Sequence, residues 1–176
     1  MQRPLAWQDH LIGVSAELRG WLADQGSLTR RISQHCADFQ VSALKQWHSP
    51  AFVDEAAMVG LAIGQNALLR EVYLNCGTTP VVFAHSVLPR YSLTGSWATL
   101  AKLGNHPLGA ALFADPRVRR CGLQFRRLDS RHALYFRATA GIVQAPPFLW
   151  ARRSLFMLAA RRILVTEVFL PEVFKL

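Results

Sequence analysis

Two charges stand where their neighbours argue for burial. In a strand, residues two apart share a face. Read that way, ALLREVYL (67–74) puts Leu68, Arg70, Val72 and Leu74 together. ILVTEVFLP (163–171) likewise puts Ile163, Val165, Glu167 and Phe169 together. Each face is apolar apart from one charge, and a lone charge in a low-dielectric region needs a partner. Three arrangements supply one. Arg70 and Glu167 could form a structural salt bridge, or each face could open to solvent. Alternatively, both charges could line a closed pocket and meet a ligand with an anionic end for Arg70 and a hydroxyl for Glu167. Spacing alone favours the structural arrangements over the ligand. The segment LGNHPLGAALF (103–113) adds a third feature. Pro107, Leu108 and Gly109 suit a helix start, whose free N–H groups bind anions, although an ordinary helix start reads the same way.

The elements that must hold these residues follow from periodicity. VSAELRGWLADQG carries helical spacing at Val14, Leu18, Trp21 and Leu22, ending at Gly26. Ser27 caps a second helical arm with Leu28, Ile32 and His35 or Cys36 on one side. The period then changes. Strands are expected at Phe39–Trp47, at Ala67–Leu74, and at VVFAHSVLP after the turn NCGTTP, the last two as an antiparallel hairpin. DEAAMVGLAIGQ reads as a turn between strands. WATLAKLGNHPLGAALF reads as helix, loop and helix, with Gly104 ending the first and Pro107 near the start of the second. RCGLQFRRL and HALYFRATAG read as two strands about a DSR turn, and LWARRSLFML and ILVTEVFLP complete the sheet. Helices do not alternate with every strand, which argues against a doubly wound parallel sheet. The expected fold is α+β: one mainly antiparallel sheet of about six strands, covered by helices, in a single domain over residues 1–176.

Composition narrows the function classes. With 176 residues and a 51% apolar share, the chain can bury a core and is too apolar for disorder. The N-terminus lacks the pattern of a signal peptide and no apolar run spans a membrane, so a cytoplasmic protein is expected. Cys36, Cys76 and Cys121 are scattered, an odd set that argues against a disulfide framework or a zinc site and for buried or idle thiols. The six histidines show no metal-ligand spacing, so no metal is expected. The net charge of +9 rests on seventeen arginines and three lysines. Guanidinium forks suit an anionic partner, whether nucleic acid, a membrane surface or a small acid, and an arginine-rich genome would give the same count.

Several segments resemble the chorismate pyruvate-lyase family in order and spacing: GSLTRRI, LREVYL, GxxPVVFAHSVLP, LGNHPLGAALF, WARRS and LVTEVFLP, from about Trp21 to Pro171. The resemblance implies a single antiparallel sheet whose helices and flap segments close over a buried pocket. It implies conversion of chorismate to 4-hydroxybenzoate and pyruvate without a cofactor, as an early step towards ubiquinone. By motif, Arg70 would hold the ring carboxylate, assisted by the backbone N–H of Leu108, and Glu167 would meet the oxygen at the far end of the ring. Leu28 matches a flap position whose backbone contacts ligand, where the family often has Met. Residues 114–149 look longer than the family pattern and read as an extended hairpin. The protein is expected to act as a monomer, without nucleic acid or membrane insertion.

Two rivals remain. Ligand-binding domains of some bacterial transcription regulators resemble the lyase fold, so a non-catalytic sensor of small aromatic acids is the alternative. Residues 1–38, however, lack a helix-turn-helix pattern. Nucleic-acid binding through the arginines of 117–137 is the other, with Phe125, Tyr135 and Phe136 as a stacking surface.

Overall fold

A computed structural model describes residues 6–176, leaving aside the side chains of Ala43, Leu44 and Ser96. The leader reading above extends over residues 1–5, which lie outside the described residues. Six strands form one sheet in the order β1-β2-β3-β6-β5-β4: β1 Phe39–Pro50, β2 Asn66–Cys76, β3 Thr79–Pro89, β4 Arg119–Leu128, β5 Leu149–Leu158 and β6 Arg161–Phe169. Every neighbouring pair is antiparallel. Two three-stranded meanders therefore meet at β3 and β6. The β2–β3 turn needs a left-handed residue and Gly77 supplies it, at φ 57°.

Two helices precede the sheet. Ser15 Oγ caps α1 (Ala16–Leu22) by accepting from Leu18 N, and Ser27 Oγ caps α2 (Leu28–His35) by accepting from Arg30 N. Trp21, Leu22, Leu28 and Ile32 are buried, as the helical spacing requires. On one face of the sheet, two apolar clusters flank a central gap. One gathers Leu22, Ile32, Leu74 and Phe169 under α1 and α2; the other gathers Leu68, Leu88, Phe156 and Ile163 under α4 (Leu108–Ala114). The opposite face packs under α3 (Val53–Val59) and α5 (Ala133–Ala138).

Four expectations are corrected. DEAAMVGLAIGQ is no turn between strands: it contains α3, whose Ala56 and Val59 face the sheet and whose end is closed by Gly60 in the left-handed conformation. HALYFRATAG is α5 rather than a strand. The His132 ring accepts from Leu134 N at its start, and Leu134, Tyr135 and Ala138 are buried on one helical side, so residues 114–149 do not form an extended hairpin. The first half of WATLAKLGNHPLGAALF holds only short 3-10 turns, at Gly95–Trp97 and Leu100–Lys102. Finally, Cys36 and Cys76 form a disulfide, while Cys121 is free. The fold brings the ends of α2 and β2 together although 40 residues separate the two cysteines, a proximity that scattered spacing hides. Among the described residues, no helix is long and apolar enough to cross a membrane.

Candidate active site

The gap between the two apolar clusters is a small cavity of about 30 Å³. Pairing registers show how the strands build its floor. One row across the sheet runs Arg70, Ser86, Val165, Ser154 on β2, β3, β6 and β5. The next row runs Val72, Ala84, Glu167, Arg152 on the same strands. Arg70 and Glu167 thus stand one row and two strands apart, about 12 Å between their Cα atoms from ordinary sheet spacings. Both charges point into the cavity, with Val72, Leu74 and Ala84 forming the apolar floor. Arg70 and Glu167 thus line one cavity and do not pair with each other; Glu167 pairs instead with Arg152, a partner that none of the three expected arrangements included.

Arg70 is 1% exposed. Its Nη2 donates to the carbonyls of Gly104 and His106, at 3.0 and 2.9 Å, which ties β2 to the segment leading into α4. Its buried Nε meets no acceptor among the described residues. Burial lowers its pKa. At the other end, Arg152 Nε donates to Glu167 Oε2 at 2.6 Å, a charge-assisted bond across the β5–β6 pair. Arg152 is wholly buried, and its Nη1 donates to the carbonyls of Trp21, Leu22 and Asp24 at the C-terminal end of α1. A guanidinium there satisfies carbonyls that a helix leaves unpaired and complements its dipole. The cavity roof comes from two segments, of which the one at Leu28 is the expected flap. Leu28 and Thr29 of α2 meet Pro107, Leu108, Gly109 and Phe113 at and around α4.

All four sequence-derived residues, Leu28, Arg70, Leu108 and Glu167, therefore line one cavity. Two charged residues of this site escaped the sequence reading, Arg120 on β4 and Arg152 on β5. The second was within reach. A two-residue turn at 159–160 pairs Leu158 with Arg161, and counting back sets Arg152 opposite Glu167. Ala-Ala carries no hairpin signature, however, so the register was not fixed by sequence. Arg120 lies beyond a register shift in the β4–β5 pair, which no simple count could cross. The nucleic-acid surface does not form: Phe125 and Tyr135 are buried, and only Phe136 is exposed.

Comparison with known proteins agrees with this architecture. The chorismate lyase family model matches residues 2–176. A probable chorismate pyruvate-lyase of Nitrosomonas eutropha is 44% identical over 173 residues, covering 98% of this chain and 97% of the relative. Residues 114–149 are therefore not a long insertion against that relative, contrary to the sequence expectation. A protein of the same description from Aromatoleum aromaticum is 51% identical over 165 residues, covering 93% of this chain and 89% of the relative. Among solved structures, a GntR-family transcriptional regulator from Bacillus cereus superimposes with a TM-score of 0.56 at 12% identity, covering 79% of this chain and 96% of that one. The PhnF C-terminal domain gives a TM-score of 0.56 at 13% identity, covering 75% and 81%. At such identities the regulators share the fold alone, whereas the full-length sequence match places the chain in the chorismate lyase family.

Proposed function

We propose that the protein is a chorismate pyruvate-lyase that forms 4-hydroxybenzoate and pyruvate, supplying the aromatic acid for ubiquinone. The observation that carries this reading is the single cavity with Arg70 at one end, Glu167 at the other and an apolar floor between them. A flat ring with a carboxylate and a para oxygen matches that distribution. Arg70 anchors the ring carboxylate and the backbone N–H of Leu108 assists it. Glu167 already accepts from Arg152 through Oε2, and its Oε1 accepts from the ring hydroxyl. Leu28 closes the roof.

The chemistry asks little more than this of the protein. The ring–oxygen bond to the enolpyruvyl arm breaks and the oxygen leaves with the bonding pair. The hydrogen on the neighbouring hydroxyl-bearing ring carbon is lost as a proton, and its pair completes the aromatic ring. The released enol takes up one proton at carbon and becomes pyruvate, so the atoms of chorismate are fully divided between two products. Aromatisation drives the reaction. The site contributes orientation and fixed charge around the departing oxygen, and no cofactor is required. One chain supplies every group named, which supports action as a monomer. Because the roof must move before product leaves, release limits turnover.

The test is purified protein with chorismate and no added metal or cofactor. Equal formation of 4-hydroxybenzoate and pyruvate is expected. Intact chorismate alongside tight 4-hydroxybenzoate binding would instead mark a sensor. Glu167→Gln should slow turnover, and a wild-type rate in that variant would remove Glu167 from the chemistry.

A further inference from the structure

The proposed substrate has a second carboxylate, on the enolpyruvyl arm beside the breaking bond. Arg70, at the opposite end of the ring, cannot serve both. Resting on the chorismate reading, we propose that Arg120 receives this second carboxylate and so distinguishes substrate from product.

The placement is specific. Arg120 lines the cavity at the Glu167 end, and its side chain is 11% exposed. Its guanidinium carbon lies 5.6 Å from the ring centres of both Phe113 and Phe156, which fix its plane from the apolar side. Two of its nitrogens are engaged. Nε donates to Ser154 Oγ at 2.8 Å, and Nη1 donates to the carbonyls of Gln25 and Gly26 at 3.0 and 3.3 Å. Nη2 stands 4.0 Å from Glu167 Oε2, too far for a hydrogen bond, and it has no hydrogen-bond acceptor among the described residues. Burial lowers the pKa of Arg120 to about 10, with Glu167 partly opposing, so the group is still a cation at neutral pH.

Charge balance points the same way. Arg70, Arg120 and Arg152 stand against the single carboxylate of Glu167 around this cavity, an excess of two positive charges. Nearby Asp24 is already paired with Arg31, at 2.7 Å. A dianion neutralises the excess, whereas 4-hydroxybenzoate, with one carboxylate, leaves Arg120 unmatched once pyruvate has gone. The carbonyls that Arg120 holds belong to the two residues just before Ser27, the cap of α2. The receptor for the departing fragment is thereby attached to the flap.

The experiment compares wild type, Arg120→Gln and Arg120→Lys for turnover of chorismate and, by calorimetry, for affinity towards 4-hydroxybenzoate. Arg120→Gln should lower kcat/KM about 100-fold, mainly through KM, and leave the Kd for 4-hydroxybenzoate within about threefold of wild type. Arg120→Lys keeps the charge without the fork and should lose about tenfold in kcat/KM with the same unchanged Kd. If Arg120→Gln does not fold, the lysine variant decides alone. Parallel losses of chorismate turnover and 4-hydroxybenzoate affinity would make Arg120 a structural tether and overturn the inference. So would a wild-type kcat/KM in either variant. Failure of the wild-type protein to consume chorismate would instead sink the lyase reading itself, so the two failures are distinguishable.

Discussion

Arg70 and Glu71 are neighbours in the chain, yet β2 sends them to opposite faces of the sheet and into different kinds of electrostatic environment. On the back face, Glu71 Oε1 lies 2.9 Å from His85 Nδ1 and accepts from Arg137 Nη1 at 2.7 Å. Glu55 approaches the other His85 nitrogen at 3.4 Å, so the imidazole sits between two carboxylates. Burial by itself would lower the His85 pKa, but Glu55 and Glu71 outweigh it and raise it to about 9. Burial would raise Glu71, and here His85 and Arg137 outweigh it and lower the pKa. Each of these charges faces an opposite one, although His85 Nε2 makes no hydrogen bond among the described residues. On the front face, Arg70 is answered only by backbone carbonyls at Nη2, and its Nε is left over. Both faces bury ions at similar depth, so burial does not separate a functional charge from a structural one. The distinction lies in what answers the charge, opposite charges at Glu71 and backbone carbonyls alone at Arg70.

The largest expected effect tests the back face. Glu71→Ala leaves Arg137 unpaired and His85 with one carboxylate, and should cost about 4 kcal/mol in urea unfolding. Its affinity for 4-hydroxybenzoate should stay near wild type, and a matching loss of affinity would join the two faces into one network. Next comes pH. His85 is raised from 6.5 to about 9 in the folded protein, so the stability it contributes is complete below pH 6.5 and is lost as pH rises through 9. The shift corresponds to about 3 kcal/mol. Unfolding midpoints should fall across that window and flatten in His85→Gln; a flat wild-type profile would show that the imidazole is not held between the two carboxylates.

The front face should respond in the opposite sense. Arg70→Ala should weaken 4-hydroxybenzoate binding roughly 100-fold while costing only about 1 kcal/mol of stability. Unchanged affinity would refute its role as anchor. The smallest effect concerns the roof. Ser27→Ala removes the cap of α2, worth about 1 kcal/mol, and should speed product dissociation up to about fivefold in stopped flow. An unchanged rate would count against α2 as the moving part.

The front face was more legible in the sequence than the back. Arg70 and Glu167 interrupt apolar alternation, and both strands formed where that alternation placed them. Their convergence on one cavity was not legible, because it depends on β3 lying between β2 and β6, a pairing between segments about eighty residues apart. On the back face, Glu71 follows Arg70 and His85 precedes Ser86, a charge and a small polar residue of the opposite face, so nothing in either strand marks them as partners. Glu55 was hidden in a segment misread as a turn, since Gly60 and Gly64 drew more weight than the helical spacing of Ala56 and Val59. Residues 133–138 were misread because aromatic and apolar side chains suit strands and short helices alike; only the His132 cap decides.

The Cys36–Cys76 bond has a mechanical consequence. Cys36 is the residue that ends α2 and Cys76 ends the strand carrying Arg70, so one extremity of the roof is riveted to the floor. Movement of α2 is therefore rotation about a fixed pivot, on a lever of about 12 Å for its eight residues. The greatest travel falls at Leu28, beside the carbonyls gripped by Arg120. An aperture made this way opens first along the seam where Leu28 and Thr29 face Leu108 and Gly109, and last beside the disulfide.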